Sequence, residues 1–432
     1  MDGNVFHSWS AQDLIDPIDV VSGSGATFQD RAGKSYLDFA AQLVNLNLGH
    51  QHPRLIQAIH EQADKLSTIA PAFHNDTRSQ LASLIVDAVG ENYGSVFFTN
   101  GGADANENAV RMARGYTGRQ KVMSTYRSYH GATTTAITLT GDPRRWNNEP
   151  GDGGVVHFFG PYCYRSPFWA TTEQEECERA LKHLEDQIIL EGANTIAAII
   201  LETVVGTNGI LVPPEGYLPG VRALCDKYGI VYIADEVMAG FGRTGELFAY
   251  QNFDVTPDLV TFAKGVNSGY VPLGGVILSR EIQKTWSTTP YNGGLTYSGH
   301  PLACAPGVAT FEVFKEEKIL DHVKDLGERV VRPRLEAIRD KYDIVGEVRG
   351  LGLFWAIEFV KDKQTREPLV AFNGSGADAA PITQFSAYCK EHGVWPFVHG
   401  NRAHITPPLI ITEDELNRGL DVYEEAIASL AA

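Results

Sequence analysis

Cysteine and positive charge are both scarce in this chain, and each shortage excludes something. Five cysteines stand in 432 residues, at 163, 177, 225, 304 and 389, odd in number and with no C-x-x-C pair. Neither a disulfide framework nor a zinc site is indicated, and buried free thiols in a reducing cytoplasm are expected. Lysine and arginine total 36 against 53 aspartates and glutamates, a formal charge of −17. A surface so acidic argues against nucleic acid or an anionic membrane as partner, because it neutralises no phosphate. No apolar run approaches the length that spans a bilayer, and Met1-Asp2-Gly3-Asn4 lacks the basic and apolar regions of a signal peptide, so neither is expected. Repeats and low-complexity tracts are missing too. What is there is an ordinary globular composition, 43% hydrophobic and 21% charged, in a chain long enough for two domains.

The first 25 residues read as irregular. Thr27–Asp30 and Ser35–Phe39 flank a glycine turn and read as a hairpin, and Pro53 is placed to start a helix. From about residue 78 strands and helices alternate. Strands are expected at 96–99, 121–124, 196–201, 230–235, 259–262 and 275–278, and helices at 177–190 and 218–228. Such alternation builds a mostly parallel sheet covered on both faces, with ligands beyond the strand carboxyl ends. After about 315 the rhythm changes to a long helix from 320 toward 342 that Pro333 would kink, then antiparallel strands and a last helix opened by the capping box Thr412-Glu413-Asp414-Glu415. The fold class read here is α/β: residues 56–315 a large domain with the mostly parallel sheet, 316–432 a smaller α+β domain, and 1–55 a segment joining the latter.

Chemistry concentrates at strand ends. Lys264 closes the apolar strand 259–262, where desolvation works against its ammonium form and favours a nucleophile toward aldehydes. Asp235 ends the preceding strand, and Glu202 ends the one before it. A lysine and an aspartate so placed suit pyridoxal 5'-phosphate (PLP), which needs an amine for its aldehyde and an anion for its ring nitrogen. Gly101-Gly102-Ala103 offers bare amides at a helix start, a site for phosphate, though such turns are common. Tyr129 and His130 follow a strand, where an aromatic could stack on a ring or lie at a surface. Thr296, in a polar turn before a helix, reads as a phosphate contact or a plain cap.

The runs FFTNGGADANENAVRMAR, SYHGAT, LETVVGTNGILVPPEGYLPG, YIADEVMAGFGRTG, FAKGVNSGYVPLGG and TYSGHPLACA, in this order, resemble the class III aminotransferases, the ω-aminotransferase group of fold type I PLP enzymes. The resemblance covers nearly the whole chain. It implies Lys264 as the Schiff-base lysine, Asp235 as partner of the ring nitrogen, Val237 and Tyr129 on opposite ring faces, and Gly102 and Ala103 on the phosphate. It further implies Thr296 reaching the phosphate of a neighbouring subunit, hence a homodimer, whose dimers could pair into a tetramer. Glu202 matches a family carboxylate near the cofactor.

Two departures bear on substrate. Members that use 2-oxoglutarate often carry a glutamate after the Glu202 strand where this chain has Thr207, and the arginine of many pyruvate-using amine members falls on Phe397. Arg402 resembles instead the pattern of taurine– and β-alanine–pyruvate members and could clamp a carboxylate or sulfonate, or simply begin a strand. The expectation is a cytoplasmic aminotransferase moving the amino group of an ω-amino acid or primary amine to pyruvate or another 2-oxo acid. An aminomutase, racemase or decarboxylating transaminase on the same scaffold is the alternative, and a non-catalytic binding protein the remote one.

Overall fold

The computed structural model describes residues 4–431. Seven strands form one sheet in the spatial order Tyr93–Thr99, Gly274–Ser279, Leu259–Phe262, Val231–Asp235, Ile196–Glu202, Lys121–Thr125, Val155–Phe158. Gly274–Ser279 runs antiparallel to both its neighbours; the remaining pairs are parallel. The central strands are apolar without alternation because both faces are covered. Ala198, Ile200, Val231 and Ile233 pack on one side with the helix Gly102–Thr117, while Ile199, Leu201, Ile230 and Tyr232 pack on the other with the helices Glu173–Glu191 and Tyr217–Tyr228.

In the C-terminal part, Val345–Leu351, Phe354–Asp362, Arg402–Ile405 and Phe397–His399 make an antiparallel sheet. Residues in register share a face. One face carries Ile357, Phe359, Ala403 and Ile405 in the same apolar cluster as Phe385, Leu420 and Tyr423 of the helices Ala380–Glu391 and Glu413–Ala431. The opposite face carries Glu347, Arg349, Glu358, His399, Arg402 and His404, and it is turned toward the large sheet's loops.

The structure departs from expectation in three places. Val20–Ser24 is a strand rather than irregular chain, because it completes the hairpin of Thr27–Asp30 and Ser35–Asp38 into a small sheet. That sheet gains a fourth, parallel strand from Val394–Trp395, so the N-terminal hairpin is hydrogen-bonded to the C-terminal part. The long helix runs from Ile319 to Lys341 with a wider π turn at Gly327–Val331, directly before Pro333, whose missing amide and bulky ring a regular turn would not accept. The capping box is present: Glu415 N donates to Thr412 Oγ1 at 3.3 Å and Thr412 N to a Glu415 carboxylate oxygen at 2.9 Å. A single apolar cluster runs from Leu55 and Leu81 through Phe241 to Trp355 and Tyr423. No helix among the described residues is long and apolar enough to cross a membrane.

Candidate active site

Strand register sets the site. Glu202, Asp235 and Thr261 are paired neighbours at the carboxyl ends of three adjacent parallel strands, about 5 Å from one to the next. Lys264 follows three residues later, in the left-handed region at φ 48°, a conformation that non-glycine residues hold only when their surroundings enforce it. The enforcement comes from beneath. A Cβ on Gly265 would stand 2.3 Å from Asn47 Nδ2, so the turn is pressed against Asn47. Asn47 in turn donates to Phe241 O at 2.7 Å and accepts from Arg243 at 3.0 Å. Arg243 is fully buried, donates also to Leu353 O and Pro407 O, and is pushed down to about 9 by that burial.

These elements surround a cavity of about 440 Å³ lined by Lys264, Asp235, Glu202, Gly102, Ala103, Tyr129, His130 and Val237, with Thr207 and Leu43 at its edge. Desolvation lowers Lys264 to about 8. Asp235, 3% exposed, accepts from Asn106 Nδ2 at 2.8 Å and meets His130 Nδ1 at 2.7 Å on one oxygen, and accepts from Val237 N at 3.0 Å on the other. His130 is held in turn by Ser124 Oγ at 3.1 Å, and Asn106 by Thr261 Oγ1 at 2.7 Å. The carboxylate is thus fixed by donors before any ligand arrives. Glu202 accepts from Tyr129 N and Gly206 N, both at 2.8 Å, and burial raises it to about 7. The first amides of the helix Gly102–Thr117 have no partner inside the helix and line the same cavity. Gly102 has to be glycine: a Cβ there would lie 2.7 and 2.9 Å from the two Val237 methyls.

An amine lowered to about 8 by burial, a fixed buried carboxylate and a helix start of free amides on one cavity are the donor set that PLP requires, so the residues fit that cofactor.

Two expected residues lie elsewhere. Thr296 is exposed and is not part of this cavity's wall. Arg402 lines a second cavity of about 420 Å³. The two cavities adjoin. Thr207 lines the first and Asn208 the second, and the Tyr129 ring of the first lies 3.7 Å from the guanidinium carbon of Arg144, which lines the second. Arg144 is paired with Asp142 at 2.5 Å, and Asn208 Nδ2 donates to the same carboxylate at 3.1 Å. Sequence reasoning missed Asn106, Arg144 and Arg243. For Asn106 a signal existed, a polar residue on the buried face of an otherwise alanine-rich helix. For the arginines only their tertiary neighbours give the meaning.

Comparison with known proteins agrees with this geometry. The family Aminotransferase class-III matches residues 9–427. A taurine:2-oxoglutarate aminotransferase from Bifidobacterium kashiwanohense, solved with PLP and glutamate, is 44% identical, with 99% of this chain and 96% of that one covered and a TM-score of 0.96. A thermostable (S)-enantioselective ω-transaminase from Thermomicrobium roseum is 34% identical, covering 99% and 97%, with a TM-score of 0.91. The mitochondrial γ-aminobutyrate transaminase 1 of Oryza sativa subsp. japonica is 34% identical over 97% of this chain and 82% of its own length. The chain belongs to the class III aminotransferase family and is a PLP-dependent aminotransferase of the α/β, fold type I architecture.

Proposed function

We propose that the enzyme transfers the amino group of an amine bearing an acid group at its far end to a 2-oxo acid, both substrates placing an acid group against Arg402. One observation carries this. The Arg402 guanidinium is 6% exposed and its Nε has no partner, while burial disfavours its charge. A charge so enclosed and unneutralised is costly unless a ligand completes it. Glycine at 209 and 400 leaves the room it occupies, since a Cβ there would come within 3.0 Å and 3.3 Å of its side chain.

Within this reading Lys264 and Asp235 are the catalytic pair. PLP, when bound, supplies an aldehyde that takes up amines and a ring that accepts the electron pair left as a C–H bond breaks. Lys264, lowered to about 8, is substantially neutral in mildly alkaline solution. Its Nζ can therefore take a proton from the substrate carbon and return it elsewhere. Asp235, oriented by His130 and Asn106, would be the anion for the ring nitrogen. Gly102 and Ala103 amides would hold the phosphate, and Val237, Tyr129 and Glu202, which line the same cavity, would surround the ring. Thr296, exposed in this chain, supplies a second copy's phosphate contact in a homodimer. Free thiols at all five cysteines, four of them buried, suit a reducing cytoplasm.

The acceptor expected from Thr207 is pyruvate. Arg402 makes no ion pair among the described residues, so that arginine stays available for acids of either substrate. The size of the second cavity, and the 2-oxoglutarate named for the 44%-identical relative, favour a longer dicarboxylic acceptor as the second reading. The test is steady-state kinetics of Arg402→Ala across donors. KM for acid-bearing amines should rise by about 10- to 100-fold more than for plain alkylamines, as loss of a charge-assisted contact predicts. Equal effects on both donor types would remove Arg402 from the substrate site.

A further inference from the structure

The second cavity holds more positive charge than its own carboxylates neutralise. Arg127, Arg144, Arg165 and Arg402 line it, facing Asp142 and Glu358. Arg144 is taken by Asp142. Both oxygens of Glu358 are taken as well: Arg165 donates to one at 2.5 Å, and Tyr162 and Arg349 reach the other. Glu358 stands beside Arg402 in strand register, yet makes no ion pair with it. That leaves Arg402 and Arg127. In a protein of charge −17, two guanidiniums without an ion pair among the described residues converge on one cavity.

Arg127 is held in a telling way. Its guanidinium carbon lies 5.4 Å from the Tyr162 ring centre and 5.7 Å from that of Phe372. Aromatic faces attract a guanidinium through its π surface and leave the in-plane N–H donors free. Arg127 is thereby positioned without its hydrogen bonds being used. Its backbone is at φ 63°, a left-handed position for a long side chain, and its amide is tied to Gly141 O at 3.1 Å. The same loop carries Tyr129 into the first cavity two residues later, so the distance between cofactor site and Arg127 is set by three residues of chain.

We infer that Arg127 and Arg402 form a two-guanidinium subsite, with Arg127 the specificity-determining residue for acid groups that a single arginine cannot saturate: a sulfonate with three oxygens, or the second carboxylate of a dicarboxylic 2-oxo acid. This rests on the substrate placement proposed above and names its chemical class. Pyruvate and ω-amino monocarboxylates engage Arg402 alone, whereas 2-aminoethanesulfonate and 2-oxoglutarate engage both.

The test uses the purified holoenzyme and its Arg127→Gln and Arg127→Lys variants, with four substrates: 2-aminoethanesulfonate, a plain alkylamine, 2-oxoglutarate and pyruvate. Binding of 2-oxoglutarate is followed separately by calorimetry. In Arg127→Gln, KM for the sulfonate and for 2-oxoglutarate should rise about 10- to 100-fold more than for the alkylamine and pyruvate, with kcat changed far less. Arg127→Lys keeps the charge and loses the planar fork, so its rise should be smaller, about 3- to 10-fold, and confined to the same two substrates. A uniform change across all four substrates, or none, in either folded variant overturns the inference. Should Arg127→Gln fail to fold, the lysine variant decides by the same criterion. Wild-type enzyme that moves no amino group between any of these pairs would refute the proposed substrates as a whole, a result distinct from a flat Arg127 profile in an active enzyme.

Discussion

Replacing Gly102 by alanine isolates one steric contact beneath the cofactor. The added Cβ would sit 2.7 and 2.9 Å from the Val237 methyls, where ordinary contact begins near 3.4 Å. Valine cannot step aside easily, since its χ1 is stiff and its backbone N is tied to Asp235 at 3.0 Å. Overpacking of this kind costs about 1–3 kcal/mol, and at the first residue of the helix alanine's mid-helix advantage over glycine does not offset it. The loss should appear in both stability and cofactor affinity, because helix start and Val237 line the same cavity. PLP affinity, by fluorescence titration of apo-protein, should fall about 5- to 150-fold. Val237→Ala removes the obstructing methyls, so the double variant should be better than the sum of the singles by about 1–2 kcal/mol. Additivity within about 0.5 kcal/mol would refute the steric account and leave the glycine unexplained.

Two further outcomes follow from buried charges. In apo-protein, reaction of Lys264 with an amine-directed reagent should rise with a midpoint near pH 8 rather than near 10.5. Because the folded group releases its proton first, its contribution to stability should grow as pH climbs from about 8 to 10.5. Arg144→Gln leaves Asp142, 1% exposed, without its cation and Tyr129 without the guanidinium on its ring. The folded state should be destabilised by about 3–5 kcal/mol, with partial rescue by Arg144→Lys, measured by denaturant titration.

The alternation of strands and helices, the apolar runs of the central sheet and the lysine and aspartate at their ends were all legible in the sequence. Each is a local matter: a strand buried on both faces has to be apolar along its length, and a charge at its end stands out against that background. The sheet's order, the antiparallel insertion of Gly274–Ser279 and the pairing of Val394–Trp395 with the N-terminal hairpin needed contacts between segments far apart in sequence. So did the surroundings of Asp235 and Glu358. Asn106 reaches Asp235 across 129 residues, and two of the three partners that occupy Glu358, Tyr162 and Arg165, lie 196 and 193 residues away. Whether an arginine is neutralised, stacked or left open to a ligand depends on which carboxylates arrive beside it. Asp142 is already two residues from Arg144 in the chain, but only the folded arrangement brings Glu358 to Arg165 and leaves Arg127 and Arg402 free.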